Sequence, residues 1–245
     1  MPQSKQSTKK IPEGIWPINR VDDHIIIQVG RKNVLIDTGS PISLGNQKTF
    51  SLMGKTVRLQ PEIQGITVEN LSEFIDSRID VLLGGDFLGQ MPFSIDFPGY
   101  IFRFYDRPIR FKGTVLEIDL IAGVPLVEVS IDSRPVSLFL DTGAKITYLS
   151  APLVRGHRSA AKIVDFYPLM GRFQTTRHEV PVAIAGRELP FLAGKTPSGL
   201  NDYIEAFNRV TGLNVQGILG NDLYYHFRVL LDLGRSRIIL RPHID

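Results

Sequence analysis

Apolar and polar residues alternate with a period of two along much of this chain, the signature of strands with one buried face. Ile25, Ile27 and Val29 alternate, Gly30-Arg31-Lys32-Asn33 offers a turn, and Val34-Leu35-Ile36 returns as an apolar run. The same sentence is written again further on: Val127, Val129 and Ile131 alternate, Asp132-Ser133-Arg134-Pro135 turns, and Leu138-Phe139-Leu140 returns. Residues 56–59 and 179–184 predict further strands, the second followed by a turn at Gly186-Arg187. Helical spacing is confined to short stretches. Tyr203, Ile204 and Phe207 share one face of a helix over 201–210 that Gly212 can end, and 71–75 predicts another brief helix. The pattern predicts an all-β fold with short helices.

The repetition extends beyond one hairpin. Val34-Leu35-Ile36-Asp37-Thr38-Gly39-Ser40 matches Leu138-Phe139-Leu140-Asp141-Thr142-Gly143-Ala144 at an offset of 104. Downstream, Leu82-Leu83-Gly84-Gly85-Asp86-Phe87-Leu88 matches Ile218-Leu219-Gly220-Asn221-Asp222-Leu223-Tyr224 at an offset of 136, and Ser94-Ile95-Asp96-Phe97 matches Leu230-Leu231-Asp232-Leu233 at the same offset. Two copies in the same order predict two related lobes, the second longer by 32 residues between its two motifs. The polar stretch around 107–113 divides them, giving an N-terminal lobe over 15–110 and a C-terminal lobe over 111–245, with residues 1–14 expected to be disordered.

Composition narrows the chemistry. At 245 residues, 43% hydrophobic and 22% charged, the chain reads as an ordinary globular protein able to bury one core or two small ones. A net charge of +3 without a basic stripe argues against nucleic acid. The absence of cysteine removes disulfides, thiolate metal sites and a thiol nucleophile. The polar start MPQSKQSTKK has no apolar segment behind it, and no stretch reaches the roughly 20 apolar residues of a membrane span, so the expectation is an intracellular, cytoplasmic protein off the membrane. The five histidines (His24, His157, His178, His226, His243) lack metal-ligand spacing and are expected at the surface or partly buried; no metal or cofactor is called for. Neither a Gly-x-Ser-x-Gly elbow nor a phosphate-loop spacing occurs.

That leaves the doubled Asp-Thr-Gly. A single copy after a strand is ordinarily a strand-ending turn. Two copies, each behind three apolar residues and each followed by a matching glycine segment, are hard to reach by chance. Carboxylates about 3 Å apart cannot both ionise and share one proton, so one can accept a proton from water while the other donates to a carbonyl. Glycine after the acid permits a tight turn with backbone N–H groups free to face the carboxylate. Asp86 and Asp222 read as turn or helix-cap residues, Asp96 and Asp232 as caps of backbone bends, and Asp22-Asp23 as a solvated loop.

These four motifs resemble those of the pepsin-like and retropepsin-like aspartic proteases, over about 25–240 of the chain. The resemblance implies two pseudo-twofold lobes of barrel-like strands around a cleft, with Asp37 and Asp141 as the catalytic pair, Thr38 and Thr142 interlocking their loops, and Gly39, Ser40, Gly143 and Ala144 supporting them. It also implies that Leu83-Gly84 and Leu219-Gly220 thread behind the loops. The implied activity is metal-free hydrolysis of a peptide bond by a water between the two acids, in a monomer whose partner is an extended polypeptide lying in the cleft. A peptide-binding module without hydrolysis, on the same scaffold, is the alternative. In the first lobe only 46 residues separate Asp37 from Gly84, which is short for the hairpin flap of a pepsin. Leu52-Met53-Gly54 and Leu169-Met170-Gly171, with Tyr167 beside the latter, are the candidate flap tips and read as one element in both repeats. The second lobe has room for a longer hairpin, and residues 166–173, with Tyr167 as the aromatic, resemble a flap better; a short flap predicts an open cleft with weak exclusion of water.

Overall fold

The computed structural model describes residues 14–168 and 170–243. The disorder expected over 1–14 falls, Gly14 excepted, outside the described residues, as does Leu169 of the second Leu-Met-Gly. Within them the chain is strand-rich with short helices, as the alternation predicts.

The central hairpins form where the pattern places them. His24–Val29 pairs with Lys32–Ile36, and Val124–Ile131 with Arg134–Leu140. The second hairpin turns on Asp132 and Ser133, both at positive φ, a two-residue turn whose twist matches that of the strands it joins. The helices are Val68–Ile75, capped by Thr67, and Ser198–Thr211, closed by Gly212 in the left-handed conformation. Each lies beside its lobe's parallel strand pair: Lys32–Ile36 with Val81–Leu83 in one, Arg134–Leu140 with Val215–Leu219 in the other.

The two lobes share one floor. A ten-stranded sheet carries the first lobe's strands and continues through Phe93–Asp96 into Phe227–Asp232 of the second. At that junction Ser94 is paired with Leu230. These two residues are equivalents in the repeat, so the pseudo-twofold axis passes between them. The chain crosses from one repeat to the next between Ile101–Phe104 and Thr114–Glu117, which is where the polar stretch lies.

The same axis relates two apolar clusters that flank the cleft. Ile26, Leu35, Leu44, Val68, Leu71, Ile79 and Leu82 form one; Leu126, Phe139, Tyr148, Ile204, Phe207, Val215 and Ile218 stand at the equivalent places in the other. One wall is aliphatic throughout; the other carries three aromatic rings, Phe139, Tyr148 and Phe207. A larger cluster beneath joins both lobes, with Phe87, Phe93, Phe102 and Phe104 fully buried and ring-packed in the first.

The lobes differ in one respect. The second closes into a six-stranded barrel, in which Ser130 and Ile131 pair with Ala183 and Val182 to complete the ring. The first does not close among the described residues; its hairpin of Thr49–Leu52 and Lys55–Arg58 stands apart as a two-stranded sheet.

Because Phe87 packs edge-on against Phe50 and Phe104 at 6.4 and 5.7 Å in a fully buried position, Phe87→Ala should cost roughly 3–5 kcal/mol in urea unfolding. Val210→Ala, on a side chain 87% exposed, should change stability by less than about 0.5 kcal/mol.

Candidate functional site

Asp37 and Asp141 leave the ends of their two strands and meet at the bottom of the cleft. What brings them there is the pair of threonines. Thr38 Oγ1 donates to the Leu140 carbonyl (2.7 Å) and accepts from the Thr142 amide (3.0 Å); Thr142 Oγ1 donates to the Ile36 carbonyl (2.8 Å) and accepts from the Thr38 amide (2.9 Å). All four bonds cross between lobes, and both threonines are fully buried. Buried hydroxyls with every bond made hold a backbone in one place, because any separation strands polar groups in an apolar surrounding.

The glycines have a sharper reason than the freedom to turn. A Cβ added to Gly39 would stand 2.5 Å from Asp141 Oδ1, and one added to Gly143 would stand 2.7 Å from the Asp37 carboxyl carbon. Each glycine makes room for the opposite lobe's acid. Backbone amides then aim at the carboxylates: Gly39 and Ser40 donate to Asp37 Oδ1 at 2.9 and 3.0 Å, and Gly143 donates to Asp141 Oδ1 at 2.7 Å.

Behind each loop runs its glycine segment. The Asp37 amide donates to the Leu83 carbonyl and the Asp141 amide to that of Leu219, both at 3.0 Å. Gly84 and Gly220 lie so close to the loops that a Cβ would meet the Ser40 carbonyl oxygen at 2.8 Å and that of Ala144 at 2.9 Å. Asp86 and Asp222, read from the sequence as turn or cap residues, make no side-chain cap. Instead they take a hydrogen bond from Ser43 and Thr147, each at 2.6 Å, and those hydroxyls accept from the amides of Gly84 and Gly220. Burial pushes the Asp222 carboxyl up to about 7. Ser43 and Thr147 share the 104-residue offset, so extending the repeat three residues past Ser40 and Ala144 exposes them in the sequence.

The two acids interact directly. Asp37 is held well above the usual carboxylate range by burial, by the charge of Asp141 and by their mutual hydrogen bond; Asp141 is raised by burial, with backbone amides and the bond to Asp37 pulling it back. Both carboxyls are raised, so one proton is shared between them and the two titrate as a pair.

The flap expectations need correction. Met53 and Gly54 turn a hairpin that packs away from the cleft, with the Met53 side chain lying where Gly14 has no Cβ. The backbone shows its true counterpart. The Gln60 amide donates to the Ser43 carbonyl, and the Gly194 amide to the Thr147 carbonyl. Gln60 therefore corresponds to Gly194, and the Met53-Gly54 turn to Ala185-Gly186, which has the same pair of positive φ angles. The two Leu-Met-Gly tripeptides belong to different elements. Between equivalent positions the offset grows from 104 at Ser43 and Thr147 to 134 at Gln60 and Gly194, so nearly all the extra length of the second repeat is one insertion: the hairpin Arg158–Tyr167 and Gly171–Ile184.

That hairpin, from the second lobe, reaches over the cleft. Tyr167 lines the cavity above the dyad; burial and the nearby Asp141 charge, together with Tyr203, push its hydroxyl up to about 12. Phe166 enters the first lobe's apolar cluster, stacked on Phe74 at 5.1 Å, and Arg172 donates to the Glu73 and Phe74 carbonyls at 3.1 and 3.3 Å. Met170 Sδ accepts from the Gly199 amide at 3.1 Å at the start of the second lobe's helix. The short turn of Ile63 and Ile66, which exchange backbone bonds at 3.0 and 2.9 Å, lines the side opposite. The cavity between these elements measures about 290 Å³.

Other residues read as solvated bind across the lobes. Lys145 pairs with Asp22, the buried Asn221 amide donates to the carbonyls of Asp23 and Thr142 at 2.9 Å, and the Tyr225 hydroxyl donates to Asp23 at 2.5 Å. Asp96 and Asp232 do sit at bends, Asp96 accepting from Gly99, and each also pairs with arginine: Asp96 with Arg228, Asp232 with Arg237 at 2.9 Å. His24, expected near the surface, is 1% exposed. Among the described residues no cluster of His, Asp and Glu suits a metal ion. Comparison with protein-family models and with curated protein sequences finds no match to this chain.

Thr38→Val and Thr142→Val each strip two buried bonds from the interlock and should each cost roughly 2–5 kcal/mol. The double variant should cost less than the sum, because once one threonine is gone the loops part and the second has less to hold. Urea unfolding of the four proteins measures this.

Proposed function

We infer that the chain is an aspartic endopeptidase, cleaving a polypeptide laid in the interlobe cleft with a water held between Asp37 and Asp141. The observation that carries this reading is the meeting of two acids from equivalent loops, sharing a proton beneath a hairpin that covers an apolar cavity. A structural turn needs no partner acid and no roof.

The roles follow from the electrostatics. Asp141, ionised and steadied by the Gly143 amide, takes a proton from the water. Asp37, neutral, donates its proton to the oxygen of the scissile carbonyl as the water adds. Each acid ends the step in the other's starting state; as the C–N bond breaks, Asp141 gives its proton to the amide nitrogen and Asp37 takes one from a hydroxyl of the diol, which restores both. The aspartic-protease pair is itself the established example of two carboxyls sharing one proton in this way. No covalent enzyme intermediate is required, and no metal takes part in these steps.

The walls support an extended peptide with apolar side chains. Leu35, Leu44, Leu71 and Leu82 line one side of the dyad, and Phe139, Tyr148, Phe207 and Ile218 line the other. A strand-like ligand sends successive side chains to opposite sides, one into each wall. The closed hairpin removes bulk water and strengthens the field of the dyad. Among the described residues no helix is long and apolar enough to cross a membrane.

Asp37→Asn and Asp141→Asn should each lower kcat/KM on an apolar peptide library by about 10³-fold or more while the protein stays folded. The wild type should show a bell-shaped pH profile, rising as the first acid ionises and falling as the second does. Peptide capture without turnover would leave the binding-module reading in its place; wild-type cleavage by either variant would overturn the assignment of the acids.

Stability gives an independent check. A carboxyl whose folded pKa lies above its unfolded value folds best protonated, so its penalty is absent below the ordinary carboxylate range and grows as pH rises to the folded value. Asp37→Asn, neutral at every pH, should therefore melt higher than wild type at pH 7, with the gap closing below about pH 4. Scanning calorimetry across that range reads the difference.

A further inference from the structure

His24 is the buried polar group for which nothing above accounts. It is 1% exposed, and neither ring nitrogen has a hydrogen-bond partner. An unmade bond of a buried polar group is a cost that the folded chain carries. The other repeat shows that the fold does not require it: His24 pairs with Val21 across its hairpin as Val124 pairs with Ile121 across the equivalent one, so an apolar residue serves at the matching place.

The ring lies beneath the hairpin that roofs the cleft. Phe166 covers it at 5.5 Å between ring centres and is itself stacked on Phe74 of the first lobe's helix. Three charged side chains face it from the elements packed around: Asp22 from its own hairpin, Lys145 from the loop that carries Asp141, and Asp165 from the covering strand, with the Gly143 carbonyl as the nearest backbone acceptor. These are tied to one another and not to the imidazole. Lys145 pairs with Asp22 and reaches the Val164 carbonyl at 3.5 Å; Asp165 takes the Tyr148 hydroxyl and the Phe166 amide, the latter at 2.8 Å.

We propose that His24 is a positioning residue for the covering hairpin, a latch that holds it down while the imidazole is neutral and releases it when the ring takes a proton. In the closed form an imidazolium has only the Gly143 carbonyl near it as a backbone acceptor, stands close to the Lys145 ammonium, and is shut from water by Phe166. A cation so placed is costly until it is hydrated. Hydrating it requires Phe166 to lift, and Phe166 is followed directly by Tyr167 over the dyad. Asp165 and Asp22 favour the charged ring, but burial outweighs them and holds the imidazole below its ordinary pKa. The open form, with the ring in water, binds the proton more tightly. Falling pH through the ordinary histidine range therefore opens the roof. Its consequence for catalysis rests on the endopeptidase reading; the latch itself does not.

Amide hydrogen exchange on the full chain tests it, in an Asp37→Asn background so that self-cleavage does not intervene. Protection of the amides of Phe166, Tyr167, Met170 and Gly171, corrected for intrinsic rates, should fall at least about fivefold from pH 7.5 to pH 5, while the floor strand Phe93–Asp96 holds constant. His24→Phe, which keeps a ring in the stack but cannot take a proton, should leave the hairpin's protection flat over that range. The same pH dependence in His24→Phe, or none in the background protein, overturns the proposal. Should His24→Phe fail to fold, ¹⁵N-histidine titration of the Asp37→Asn protein decides the matter. His24 should titrate below the ordinary range in step with hairpin opening; an ordinary titration with the hairpin unmoved rejects the latch. Neither measurement depends on peptide cleavage, so loss of the latch and loss of the dyad reading are separate outcomes.

Discussion

Four hydrogen bonds between Thr38 and Thr142 and the opposing strands set everything else in this molecule. They lie on the same pseudo-twofold axis that passes between Ser94 and Leu230 in the floor, so the lobes are joined at two heights by symmetric contacts. Two joints on one axis leave little freedom for the lobes to turn against each other. The acids next to the threonines are thereby held face to face even though each alone would move toward water. Their raised pKa values measure the cost of that arrangement, and the interlock, with the core beneath it, offsets the cost. The requirement also explains the glycines: with the acids this close, the opposite backbone must lack a Cβ.

Symmetry ends above the dyad. One hairpin, inserted in the second repeat, covers a cleft that two equivalent walls define. To act as a roof it must rest on the lobe it does not belong to, and the first lobe offers the exposed carbonyls at the end of its helix for Arg172 and a gap in its apolar cluster for Phe166. The turn at 63–66 is all that the first lobe contributes opposite. A roof hinged on one side and seated on the other has a defined closed position, and its release is controlled at the seat. His24, Lys145 and Asp165 gather at that seat.

Much of this was legible in the sequence because the informative features are repeated at fixed offsets. The strands around each Asp-Thr-Gly, both helices, the glycine segments and the pairing of Asp37 with Asp141 all stand where the alternation and the duplication place them. Errors arose where the two repeats differ. Leu52-Met53-Gly54 and Leu169-Met170-Gly171 look alike, but a tripeptide does not carry register, and only the bonds from Gln60 and Gly194 to the equivalent loops reveal which hairpins correspond. Asp22, Asp23 and His24 sit in a turn that reads as solvated; nothing local shows that the other lobe closes over it. Contacts between positions 92 and 123 residues apart leave no periodic trace, which is why neither Phe166 with Phe74 nor Lys145 with Asp22 can be read from the sequence.

The asymmetry of the roof bears on the asymmetry of the acids. The loops of Asp37 and Asp141 are nearly superimposable, yet Asp37 receives two amide bonds through Oδ1 and Asp141 one of them at shorter range. Tyr167 comes from the roof to lie beside Asp141. A neutral hydroxyl with a high pKa is a donor poised near the ionised acid, and it is present only while the hairpin is down. The proton of a symmetric pair has no preferred side. Here the one-sided roof breaks that symmetry, so the division of labour proposed for Asp37 and Asp141 depends on closure as much as on the dyad itself. An element inserted into one repeat thus gives the two acids of a nearly symmetric pair different surroundings.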